Sequence, residues 1–328
     1  MLETPLQLDS DEQICISDLC LLSSRDSRII MDVAVFRLTK KDECINEIIR
    51  YDLSDGYVEV RSGSAGMATI WDYDLVIMAI SYLTQAMNLF IQGKGPYPGR
   101  FFLPNRTQIN KFCSRGNGGR QNDSLEHALD RLMTTTIKVV RNNNDSDHLI
   151  SETRHESLIN SYRVLSRNNS GKLLSVEIEL PRWIYTQVTE QSNSGVLQLH
   201  TDYFNIRSGI ARFIYRLARR AAGHTNARWS FRMIYERSNS RGSFKKFTYS
   251  LRSIIKNNDL PEYDLQETNG KNGPVLEISH RHWLAFEHGT PPLEFYSQLI
   301  DQGFSKSTAI KEARSYSKLA TKKGNIDD

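Results

Sequence analysis

The side chains best equipped for chemistry in this chain are grouped on Ser243–Lys256, where Lys245, Tyr249, Arg252, Ser253 and Lys256 recur at helical spacing. At about 100° per residue these five share one side of a helix, and Phe244, Phe247, Leu251, Ile254 and Ile255 share the other. Lysine and arginine seek phosphates, and Tyr, Ser and Arg hydrogen-bond base edges. Such a face suits the major groove of duplex DNA, where each base pair shows a distinct donor and acceptor pattern. A basic amphipathic helix on a membrane or protein surface is the competing reading. The aromatic stripe and the position after a helix and a turn favour the groove. Arg241, Ser243 and Lys246 at the start of this segment complete the candidate set.

The charge around this helix supports a polyanionic partner. From Tyr203 to Asn257 the chain carries thirteen basic residues and one acid, Glu236, a net +12 in a protein whose total is +4. The remainder therefore sums to −8. Phosphates are the commonest partner for such a concentration, because neutralising them releases condensed counterions. Arg212 and Arg216, with Arg219 or Arg220, line one side of an upstream helix. They would clamp phosphates beside the groove or pair with acids elsewhere in the fold. Lys271, in the tip Thr268-Asn-Gly-Lys-Asn-Gly273, is placed to touch an adjacent minor groove. In the first half, Arg115 and Arg120 flank Gly-Asn-Gly-Gly, where the backbone can approach a phosphate closely or simply turn between helices. A helix at about 121–134 exposes Glu126, His127 and Asp130, which phosphates would repel.

Enzymatic signals are weak. There is no G-x-x-x-x-G-K-[ST] segment, and no acid cluster suggests a two-metal nuclease. His280-Arg-His282 followed by Tyr296 is similar to the paired histidines and tyrosine nucleophile of rolling-circle nicking enzymes. The intervening Arg281 and the missing surrounding sheet argue for a domain-edge histidine pair instead. The four cysteines, Cys15, Cys20, Cys44 and Cys113, form no zinc pattern. No catalytic residue, cofactor or metal is expected.

The 328 residues suffice for two domains. No run approaches the roughly 18 apolar residues of a membrane helix, and the acidic amino terminus lacks the parts of a secretory signal. A cytoplasmic location without membrane contact is expected. The first sixty residues hold thirteen acids and six bases. That polarity fits an extension that avoids nucleic acid or one that folds back over the basic region.

The elements expected to position these residues recur. Residues 1–50 read as a separate leader. A strand at Tyr57–Arg61 precedes a long apolar-periodic helix capped by Asp72. A short strand at Arg100–Leu103, a helix capped by Asn105, and the helix at 121–134 follow. Strand-like Thr135–Arg141, a polar stretch, and strands near Leu158–Leu165 and Leu174–Leu180 complete this unit. The order then repeats: a helix from Ser208, a helix at Phe231–Arg237, the helix from Ser243, and strands at Tyr263–Glu267 and Val275–Ser279. Val176-Glu-Ile-Glu-Leu-Pro-Arg-Trp183 and Leu276-Glu-Ile-Ser-His-Arg-His-Trp283 even close alike. Three helices and a β-ribbon make a winged helix, a helix-turn-helix variant. The expected fold is α+β: two tandem winged-helix domains at 51–195 and 196–285, an extension at 1–50, and a helical tail at 286–328.

Laid out in this order, the chain resembles the plasmid replication initiator protein A family. The resembling blocks are Gly66-Met-Ala-Thr-Ile-Trp-Asp-Tyr-Asp-Leu75, Arg115-Gly-Asn-Gly-Gly-Arg120, Ser124-Leu-Glu-His-Ala-Leu-Asp-Arg-Leu132 and Val176–Trp183. Leu199-His-Thr-Asp-Tyr-Phe204, Arg212-Phe-Ile-Tyr-Arg-Leu-Ala-Arg219 and Phe244-Lys-Lys-Phe continue it, over about two-thirds of the chain. The resemblance implies a paired winged-helix initiator that binds repeated sites in double-stranded origin DNA and helps melt nearby DNA. It also implies recruitment of the host initiator and replicative helicase, dimerisation, and repression of its own promoter.

Overall fold

The computed structural model describes residues 23–41, 43–53, 56–115, 124–145, 148–169, 171, 173–190, 195–282, 292–301, 308–313 and 315. Helices and strands are mixed in an α+β architecture. The first part contains β1 (Arg25–Ser27), β2 (Ile48–Leu53), β3 (Gly56–Arg61), α1 (Asp74–Ile91), β4 (Phe101–Phe102), α2 (Arg106–Phe112) and α3 (Ser124–Thr134). It continues with β5 (Thr136–Asp145), β6 (His148–Ser157), β7 (Ser161–Arg167), β8 (Leu173–Glu179), α4 (Arg182–Thr189) and β9 (Val196–Gln198). One antiparallel sheet has the order β2-β3-β5-β6, a second β4-β8-β7, and β1 pairs with β9.

Helix α1 is the central element. Its 18 residues have a mean hydropathy of 1.4, long and apolar enough by composition to cross a membrane, contrary to the expectation that no such run exists. Its two central hydroxyl residues hide this character in the sequence: Ser81 and Thr84 donate to the carbonyls of Ile77 and Ile80 at 2.6 and 2.7 Å. The helix instead packs inside the protein, with Leu75 through Ile80 buried. Asp72 does not cap it. The helix begins at Asp74, and Asp72 accepts from the Thr69 amide at 2.8 Å and from Arg131 at 2.8 and 2.9 Å. Asn105 does cap α2, in a reciprocal box with Gln108. The polar stretch after Arg141 is a strand pair, because ladder hydrogen bonds satisfy the backbone whatever the side chains.

The second part repeats the plan: α5 (Gly209–Ala221), β10 (Asn226–Ser230), α6 (Phe231–Arg237), α7 (Phe244–Asn257), β11 (Tyr263–Gly270) and β12 (Gly273–His280), with sheet order β10-β12-β11. Ser208, Ser230 and Ser243 each cap a helix by accepting from the amide three residues on. Asn258, at φ 47°, ends α7 in the left-handed region. The β11–β12 hairpin closes between Gly270 and Gly273, and Gly273 at φ 116° takes a conformation that side chains avoid. Helix α8 (Pro292–Asp301) builds a small separate cluster from Phe295 and Leu299 with Ala309.

The described part of residues 1–50 does not stand apart as a leader. Ile30, Met31 and Val33 through Phe36 are buried in a core that runs continuously to Ile278. An apolar run of that density costs too much to leave in water, at about 25 cal/mol per Å² of apolar surface. Gly209 shows how closely the segment approaches: a Cβ there would lie 2.2 Å from the Leu38 carbonyl oxygen.

Candidate nucleic-acid interface

Helix α7 presents the face that its spacing predicts. Phe247, Leu251 and Ile254 are buried, and Phe244 and Ile255 are half-buried. Lys245, Lys246, Arg252, Ser253 and Lys256 are exposed, and Tyr249 is 79% exposed, unusual for a large aromatic ring. Arg228 and Arg232 are also exposed, with the Arg232 guanidinium 4.0 Å from the Phe244 ring centroid. Lys271 is exposed at the tip of the β11–β12 hairpin. A cleft of about 370 Å³ opens beside the start of α7, lined by Lys41, Arg241, Lys246 and Ser250 among others. Lys41, in the acidic amino-terminal region, is a cation the sequence did not single out.

Arg252 is exposed but held. Its Nε and Nη2 donate to both carboxylate oxygens of Glu267 on β11, at 2.7 to 3.1 Å. Glu267 escaped the sequence reading because the contact joins two elements 15 residues apart. The alternation of buried Tyr263 and Leu265 does put it on the same strand face. The Arg252 hydrogen bond holds the Glu267 carboxyl below the usual carboxylate range.

Of the arginines expected to touch phosphates, Arg212 and Arg216 are buried and Arg115 is half-buried. Arg212 is 3% exposed and donates to Asp74 at 2.8 and 3.0 Å and to the carbonyls of Phe204 and Ile206. Arg216 is wholly buried, 2.5 Å from Asp26, with its guanidinium over the rings of Phe36 and Tyr73. Arg115 donates to the Trp71 carbonyl and lies 3.5 Å from Asp74. A buried guanidinium needs partners to replace its water. Arg212 has Asp74 and the Phe204 and Ile206 carbonyls, whereas Arg216 has Asp26 at Nε alone and, among the described residues, leaves its two terminal nitrogens without a hydrogen bond. Arg120 lies outside the described residues. Arg241 is ion-paired to Glu47 and donates to the Cys44 sulfur at 3.2 Å. With Arg220 3.8 Å from Asp32, acids of the amino-terminal segment meet three bases of the later one.

On α3, Glu126 is held by Arg167 at 2.9 and 3.0 Å, and Asp130 accepts from the Tyr162 hydroxyl at 2.6 Å. These carboxylates anchor α3 to β7.

His280, Arg281 and His282 are buried. The rings of His224, His280 and His282 meet edge-on in series with centroids 4.9 and 4.7 Å apart. Glu312 closes the series, 2.6 Å from His282 and 3.3 Å from His200. Burial, with His282 and His224 alongside, pushes His280 down to about 3. Burial opposes the Glu312 charge, but hydrogen bonds from His200 and His282 outweigh it and keep the carboxyl well below its usual range. Tyr296 is half-buried against the α8 cluster. Among the described residues no group of three His, Cys, Asp or Glu side chains could hold a metal ion.

The fold and this surface define an α+β protein with a cationic helix beside a β-hairpin. Crystal structures of RctB domains 2 and 3 share the fold: one has a TM-score of 0.54 at 10% identity over 77% of this chain and 98% of that chain. A second has 0.50 at 12% identity, over 77% and 96%. A "Putative replication protein" of Wigglesworthia glossinidia brevipalpis is 27% identical over 267 residues, 76% of this chain and 86% of its own. The family model described as Replication initiator protein A matches residues 25–265. The chain belongs to the replication initiator protein A family.

Proposed function

We propose that this protein starts plasmid replication by binding repeated sites in double-stranded origin DNA, with α7 in the major groove and the β11–β12 hairpin as a wing beside it. The observation that carries the reading is the α7 face: Lys245, Lys246, Tyr249, Arg252, Ser253 and Lys256 all exposed over a packed aromatic core. Phosphate contacts fix the register of such a helix, and base-edge contacts select sequence. The two halves are taken as tandem winged-helix domains, since each sets three helices before a β-ribbon. The first would contribute dimerisation or backbone contacts, and the host initiator and replicative helicase would be recruited at the origin. The protein would act in the cytoplasm and without catalysis of its own. Burial of His280 and His282 against Glu312 is what disfavours a nicking centre with Tyr296.

A footprint on the DNA flanking the gene tests this: evenly spaced protected repeats are expected, and no protection at any salt concentration refutes it. In a maintenance assay, loss of the gene must stop plasmid copying. A mere rise in transcription would identify a repressor instead. A nick in supercoiled origin DNA with Mg²⁺, abolished by Tyr296→Phe, would establish the enzyme.

A further inference from the structure

We propose that Glu267 is a selectivity residue: it fixes Arg252 as a reader of one base pair and weakens binding to all other sequence. The inference rests on the reading of α7 as the groove helix. A guanidinium has five donors in a rigid fork. Glu267 occupies the edge formed by Nε and Nη2, at 2.7 to 3.1 Å, and so fixes the plane of the group. The terminal edge, Nη1 with the second Nη2 hydrogen, stays available as two parallel donors. That edge matches the O6 and N7 acceptors of guanine, the commonest bidentate partner of arginine in the major groove.

The placement of the pair supports the role. Tyr263, Leu265 and Glu267 share one face of β11, and the first two are buried in the core beneath α7. Glu267 is thus the next residue along the same face of the strand, and it is half-buried. Arg252 reaches it from the exposed face of α7, its guanidinium 5.9 Å from the Phe231 ring centroid. Helix α7 itself carries no acid. A carboxylate brought against its cationic face has two consequences. It repels phosphates that approach in a wrong register, and it withholds one arginine from indiscriminate phosphate pairing. A correct site recovers both losses through the base contact. Such a repulsive element is how specificity is gained without added affinity.

The experiment uses the full chain and two probes, a 30-bp duplex of random sequence and a randomised duplex pool from which the protein selects. The wild-type protein is expected to enrich a motif containing an invariant guanine. Glu267→Ala and Glu267→Gln are expected to lose preference at that one position and to bind the random duplex about tenfold more tightly. Arg252→Lys, which keeps charge but not the fork, should lose the same position. In a double-mutant cycle, Glu267→Ala should change nothing at that position once Arg252 is Ala. A purely structural salt bridge would instead lower stability and leave the selected motif intact, which overturns the proposal. That outcome spares the groove reading if Lys245→Ala still weakens binding. Failure of the wild type to enrich any motif overturns both.

Discussion

Lys245 and Asp130 each sit on the third helix of their half, and chemistry separates their roles. Lys245 is exposed on a helix without acids, and Asp130 is tied to Tyr162. Lys245→Ala is therefore expected to weaken duplex binding and to reduce the slope of log affinity against log salt by about 1. Glu126→Ala and Asp130→Ala should leave that slope unchanged. Titration of binding between low and moderate salt reads the difference, and equal losses at both helices would refute it. His280 makes a second prediction. Its folded-state value, about 3, lies below the ordinary histidine value near 6.5, so between these limits the unfolded chain takes up a proton that the folded one does not. Stability is then full above about pH 6.5 and falls as the pH drops toward 3. Glu312, also held low, acts in the same direction at more acid pH. Urea unfolding at pH 7.5 and pH 5 should differ by about 2 kcal/mol, and His280→Gln should flatten the difference.

Helix α5 depends on a glycine at its start. Gly209 lies against the Leu38 backbone, and a Cβ at 2.2 Å from a carbonyl oxygen cannot be relieved by turning a flexible side chain. Gly209→Ala should therefore destabilise the protein by about 1–3 kcal/mol, the range for overpacking, despite its better helix propensity. Gly223→Ala, where nothing lies within 4 Å but φ is +57°, should cost by backbone strain alone. Thermal melting of the two variants distinguishes a packing defect from a conformational one. The exposed cationic side of α7 should survive Gly209→Ala in whatever fraction folds.

Over the whole molecule, two buried ion pairs tie the halves together. Arg216 reaches Asp26 from the amino-terminal segment, and Arg212 reaches Asp74 at the start of α1. Phe112 of α2 packs on Phe204 with centroids 5.1 Å apart. Arg216→Ala strands a buried carboxylate and should cost about 3–5 kcal/mol. A fragment of residues 196–285 would expose Arg216 without its partner and should be insoluble or unfolded. The intact chain should melt in one calorimetric transition, and two separated transitions would show the halves to be independent.

The sequence alone determined the local features. The 3.6-residue periodicity of α7, the Phe231–Arg237 helix and the hairpin around Lys271 are set by neighbours a few residues apart, and each was legible. So was the order of three helices and a hairpin in the second half, recorded by apolar stripes and glycine turns, whereas β2, β6 and α4 were not read. Tertiary structure decided which cations face water. Arg212, Arg216 and Arg252 belong to one basic stretch, but Asp74, Asp26 and Glu267 that hold them come from elsewhere in the chain. An arginine's position on a helix states its direction and leaves its partner open. The burial of residues 30–36 was hidden for the same reason: acids around a short apolar run look like a solvated leader until bases of α5 neutralise them. Charge pairing over 190 residues of separation is a property of the fold, and no spacing rule contains it.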